Sequence, residues 1–118
     1  MTTPSSRPYR TPAEDPTWAT VARLVDWLDA HCSDLSPEAA RLLRILKITE
    51  EAGEVAEAVH GALGSNPRKG DSHTWADVER ELCDVILTAM VALRSLTPDA
   101  GQRFADHLGH VAGRSLGG

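Results

Sequence analysis

The sequence predicts an all-α protein built as a four-helix bundle, and three observations point there. Apolar residues recur at three- and four-residue spacing over four segments, and no period-two alternation is long enough to make a strand. Residues that start and stop helices punctuate the segments: Asp15-Pro16, Ser36-Pro37, Gly64, Thr74 and Thr97-Pro98-Asp99. Aromatic residues are 4% of the 118 and apolar residues 42%, so the core has to be aliphatic, made of Leu, Val, Ile and Ala. That length suits one domain with one core.

Residues 1–14 are rich in Pro, Ser and Thr and offer nothing to bury, so they are expected to be a disordered tail ahead of one domain over 15–115. The first helix is expected from Asp15-Pro16 or Thr17 to His31–Ser33, with Trp18, Val21, Ala22, Leu24, Val25 and Leu28 on its apolar side. The second starts with Ser36 as N-cap and Pro37 at N1, and runs to about Leu63 with Gly61 and Gly64 as stop signals. Its apolar arc is Ile45, Ile48, Ala52, Val55, Ala56 and Val59. Residues 64–73 (GSNPRKGDSH) are a loop by composition.

Thr74 caps the third helix, with Asp77 as capping-box partner. Val78, Leu82, Val85, Ile86, Ala89, Leu93 and Leu96 are its expected core stripe. From Val85 to Leu93 this helix is apolar nearly all round, and such a helix is covered on several sides. A small monomer hardly provides that cover, so the apolar part of the third helix is expected to meet another subunit in a homodimer or homotetramer. The fourth helix follows Asp99 and runs to roughly Arg114, with Phe104, Leu108 and Val111 facing the core.

A net charge of −5 argues against a nucleic-acid surface. Cys32 and Cys83 are expected to be reduced thiols. The first residues contain no apolar core of a secretory signal, and no stretch is long enough to span a membrane, so a cytoplasmic protein is expected.

Chemistry is concentrated in two matched acid pairs, Glu51 with Glu54 and Glu81 with Asp84. Each pair is spaced i,i+3, which puts both side chains on one helix face. A Glu-rich helix alone is ordinarily a solvated face. Here a second pair follows on the next helix, and both pairs border apolar stripes. The short loop between the helices makes them antiparallel neighbours. Four acids gathered in that way repel unless a cation lies among them, and hard oxygen ligands suit Mg²⁺, with Mn²⁺ as substitute. Lys47, one turn before Glu51, is placed to neutralise the cluster or reach a phosphate. Trp27 or Trp75 could stack on a base, although core filling is the commoner use of tryptophan.

At these residues the chain resembles the all-α nucleoside triphosphate pyrophosphohydrolases of the MazG and dCTPase kind. The pattern of that family is ExxE, a spacer, then ExxD. It reads here as Glu51-Ala-Gly-Glu54, residues 55–80, and Glu81-Leu-Cys-Asp84, within LKITEEAGEVAEAV and ELCDVILTAMVAL. The likeness covers roughly residues 17–115. It implies Mg²⁺-dependent cleavage of a nucleoside triphosphate between the α and β phosphates, with Glu51, Glu54, Glu81 and Asp84 as metal ligands. The attacking water is then metal-bound or oriented by a glutamate; the candidate catalytic residues are Glu50, Glu51 and Glu54, with Glu50 a secondary candidate for orienting the water, although a surface acid is its commoner use. Arg68 and Lys69 in the loop become candidate triphosphate contacts. The last helix departs from the family: Arg114 matches an expected arginine, but His107 and Val111 stand where relatives carry lysine and asparagine. That departure keeps a second reading open, a weakly catalytic bundle acting as a nucleotide-binding or partner-binding regulator.

Two other patterns lead nowhere. Glu57 and His60 match one half of a di-iron ExxH motif, but no second half exists. The five histidines stand apart from any cysteine cluster, which argues against zinc.

Overall fold

The computed structural model describes residues 15–32, 34–68 and 70–117. Four helices make up the ordered structure of these residues: α1 (Pro16–His31), α2 (Pro37–Leu63), α3 (Trp75–Leu96) and α4 (Ala100–Leu116). No strand occurs among them, and no helix is long and apolar enough to cross a membrane. The tail expected at 1–14 and Lys69 lie outside the described residues.

Helix boundaries follow local chemistry. Asp15 caps α1 by accepting the Thr17 N–H at 2.9 Å, with Pro16 in the first turn where its missing N–H costs nothing. In the last turn the His31 imidazole donates from Nδ1 to the Trp27 carbonyl at 2.7 Å, satisfying an otherwise orphaned acceptor. Ser36 caps α2 by accepting the Ala39 N–H at 3.1 Å. Gly64 ends that helix with φ of 63°, a left-handed conformation that a side chain resists, and its N–H returns to the Gly61 carbonyl. Thr74 and Asp77 form the full capping box on α3, with bonds of 3.2 and 2.9 Å. Thr97-Pro98-Asp99 separates α3 from α4, although the Asp99 side chain makes no cap bond.

Gly61 does not stop α2. It is a buried residue inside the helix, where the returning loop presses His73 and Ser72 against the position a Cβ would take. That close approach folds α3 back on α2. The pair is antiparallel: Arg44 meets Ser95 near one end and Gly61 meets His73 near the other. Ala40, Arg44, Ala58 and Gly61 of α2 and Val78 and Ala92 of α3 are buried along this seam. Val21 and Val25 anchor α1, which packs on α3. Phe104 of α4 approaches Trp18 of α1, with ring centroids 6.2 Å apart.

The buried apolar residues are all Val or Ala, and many larger side chains that the sequence assigned to a core lie outside it. Leu82, Ile86, Ala89 and Leu96 of α3 are exposed, as are Ile45, Ala52 and Ala56 of α2. Phe104 and Leu108 of α4 are 50% and 56% exposed. The physical reason is geometric. α2 and α3 use small residues and the acid positions for their mutual seam, while α4 touches the end of α3. Among the described residues nothing covers the bulky stripes.

Candidate metal centre

Glu51 lies on the seam of α2 with Arg44, Ile48, Val55 and Ala58, each three or four residues from the next. Glu81 holds the matching place on α3, between Val78 and Val85. Antiparallel packing therefore brings the two glutamates together partway along the pair, with Asp84 one turn further on. Carboxylate oxygens of Glu51, Glu81 and Asp84 lie within 4.8 Å of one another. The Glu51 side chain is 12% exposed, Glu81 is half-buried, and Asp84 opens to solvent.

Two features set this apart from a solvated acid face. Glu81 Oε2 is fully buried and has no hydrogen-bond partner among the described residues. A buried carboxylate oxygen left unpaired costs about 1–3 kcal/mol or more, so its presence calls for a compensating positive group. Glu54, exposed and one turn from Glu51, has its carboxyl held above the usual range, first by the Glu51 charge and then by the Glu81 charge. The fourth acid thus stands close enough to Glu51 and Glu81 to feel both.

The donors fit a hard divalent cation. Oxygens on an octahedral Mg²⁺ lie about 3 Å apart in cis and about 4.2 Å apart in trans, and small side-chain adjustments bring the three acids into that range. Among the described residues, the one cation paired with them is Lys47, whose Nζ is 3.5 Å from Glu51 Oε1 and which remains half in solvent. A single exposed ammonium leaves several negative charges unbalanced.

Beyond Lys47 the same side of the helix pair opens into an apolar pocket of about 290 Å³. Leu24, Trp27 and Leu28 of α1 face Lys47, Leu87 and Thr88 across it. Trp27 also stacks on His31 at 4.3 Å between ring centroids. Trp27 and Lys47 therefore line one pocket, and Lys47 links it to the acids through Glu51. Glu50 is exposed on α2, outside the three-acid group. Arg68 is an exposed loop residue whose backbone N–H is held by the Asn66 side chain. Arg114 is exposed in the last turn of α4, and no hydrogen bond or ion pair among the described residues ties it to the acids.

Sequence reasoning passed over Arg44. Its side chain is 10% exposed, pairs with Asp29 Oδ1 at 2.9 Å and donates to Ser95 Oγ at 3.0 Å, joining α1, α2 and α3. The signal was present: Arg44 lies four residues before Ile48 and seven before Glu51, on the seam. Compared with family models, with curated proteins and with solved structures, the chain has no match.

Proposed function

We propose that this chain is a Mg²⁺-dependent nucleoside triphosphate pyrophosphohydrolase of the MazG-like kind, releasing nucleoside monophosphate and pyrophosphate. On this reading it clears unwanted nucleotides from a cytoplasmic pool and works as a homo-oligomer. The convergence of Glu51, Glu81 and Asp84 from two helices, with Glu54 beside them and an unpartnered Glu81 oxygen inside, carries the proposal. Mg²⁺ bound there offsets negative charge on the phosphate oxygens and lowers the pKa of bound water. The remaining work falls to side chains. Lys47 sits between the acids and the apolar pocket, where it can steady a phosphate. Trp27 and Leu24 offer a base a dry surface at a distance from the acids. Glu50 and Glu54, both in solvent, are the acids free to orient the attacking water and take its proton.

The test is pyrophosphate release from a panel of ribo- and deoxyribonucleoside triphosphates with Mg²⁺. Native activity should disappear in Glu54→Gln and Asp84→Asn. Activity surviving both changes removes the metal-centred mechanism. The isolation of Arg114 from the acids favours the second reading, a nucleotide-binding regulator of low activity. That reading gains if nucleotides bind with Mg²⁺ but no pyrophosphate is released.

A further inference from the structure

Arg44 has a buried charge that the metal centre does not use. Its side chain is 10% exposed, and Nη1 alone carries its bonds, to Asp29 Oδ1 at 2.9 Å and to Ser95 Oγ at 3.0 Å. Nη2, on the same planar group, is buried with no hydrogen-bond partner among the described residues. One carboxylate oxygen only half answers such a desolvated cation. Asp29, for its part, is 61% exposed and free to turn into water. Arg44 and both of its partners line a cavity of about 330 Å³ between the end of α1, the start of α2 and the last turns of α3. Arg41 lines it as well, one turn before Arg44 on the same face of α2. α2 begins at its rim with Pro37, so the positive end of the helix dipole adds to the two arginines. Asp29 is the one acid among the lining residues. Arg44 lies seven residues before Glu51, about 10 Å along the helix, which separates this cavity from the acid cluster.

We propose that this cavity binds a phosphate group, free or on a small monoester, which takes the place of Asp29 on Arg44. Asp29 meets Nη1 with one oxygen. A phosphate offers several acceptor oxygens and can bond Nη1 and Nη2 together, the two-pronged arrangement that guanidinium geometry favours. A further oxygen is left for Arg41. The charges agree. With Asp29 turned out, two arginines line the cavity, and a phosphate monoester carries about −1.5 to −2 at neutral pH. A carboxylate brings one charge and two oxygens, and leaves Arg41 unanswered. The volume is at the small end of the range of about 300–1,000 Å³ for ligand pockets, and Leu35 and Pro37 give a short carbon skeleton an apolar wall. The site makes no use of the acid cluster, so it stands or falls apart from the hydrolase reading.

The experiment is thermal melting in chelator at constant ionic strength, with chloride exchanged for inorganic phosphate or for glycerol 3-phosphate, so that binding appears as a rise in melting temperature by mass action. The native chain should gain stability from at least one of them, and the tighter of the two names the source. Asp29→Asn removes the competing carboxylate and should bind more tightly. Arg41→Gln, a change at an exposed residue, should weaken binding about tenfold or more, and Arg44→Met should abolish it. Lys47→Met should keep the native response. A native chain that gains nothing from either phosphate overturns the proposal, as does an equal gain in Arg44→Met, the mark of a general salt effect. If Arg44→Met fails to fold, Arg41→Gln decides in its place, and unchanged affinity there overturns the proposal. Asp29→Asn that binds no more tightly than the native chain overturns the exchange with Asp29. Acetate that stabilises as strongly as phosphate overturns the choice of phosphate. A response lost in Lys47→Met and kept in Arg41→Gln moves the phosphate to the pocket beside the acids and overturns the proposal as well.

Discussion

Neutralising Glu81 separates two properties of the acid cluster, the mutual repulsion of its charges and its proposed use as a ligand set. Its carboxylate lies within 4.8 Å of those of Glu51 and Asp84. Two unit charges at that distance repel by about 0.9 kcal/mol in water and about 3.5 kcal/mol at an effective dielectric constant of 20. Asp84 is exposed, so its repulsion belongs near the lower figure, while Glu51, 12% exposed, lies above it. Roughly 2–3 kcal/mol of repulsion therefore bears on Glu81, and solvent screening trims it further. Glu81→Gln keeps the shape and removes the charge, with a desolvation cost for the new amide of about 1 kcal/mol. The metal-free variant should be more stable than the native chain by about 1–2 kcal/mol, or about 4–8 °C in melting temperature. Mg²⁺ at about 100 times its Kd adds about 2.7 kcal/mol to a chain that binds it. The native chain gains this increment and the variant much less, so the order of stability reverses. Thermal unfolding followed by far-ultraviolet circular dichroism, at one protein concentration, with chelator and then with Mg²⁺, reads both halves. A variant that melts below the native chain in chelator refutes the repulsion argument. An equal Mg²⁺ increment in both proteins refutes the ligand role of Glu81.

The remaining predictions concern the frame that holds the site. Thr74→Ala removes the cap of α3 and should cost about 0.5–2 kcal/mol in urea unfolding, while Thr74→Ser restores most of it. The bonds to Thr74, backbone first, hold the Asp77 carboxyl below its usual range, so the unfolded chain binds that proton more tightly. This contribution is complete above the ordinary carboxylate pKa and fades as pH falls through the depressed value; Asp77→Asn should flatten that acid limb of the stability curve. Arg44→Met, which also removes the unpartnered Nη2, should change stability by no more than about 1 kcal/mol. Asp29→Ala leaves the buried guanidinium without its counter-ion and should cost more. Gly64→Ala places a Cβ at a positive φ and against Asp71, and should cost about 1–2 kcal/mol measured by chemical unfolding.

What could be read from the sequence was what is decided locally. Asp15, Ser36, Gly64 and the Thr74–Asp77 box each act within a few residues, and each helix end lies at or within two residues of where these signals put it. The acid pairs were legible for a related reason. Their spacing fixes a helix face, and one short loop fixes which helix that face meets. Depth was a different matter. α3 carries apolar residues on more than one side, and periodicity cannot distinguish a stripe covered by the same chain from one that another surface must cover. Leu82 and Ile86 were read as core from the same pattern that correctly placed Val78. Arg44 shows the converse error. A charge on the seam was passed over because residue type was read before position, although its spacing to Ile48 and Glu51 already placed it inside. The seam of this protein is polar at Arg44, Glu51 and Glu81, and its outer face is apolar. That inversion is what a helix pair requires if it holds charged chemistry along one side and buries its leucines against something else.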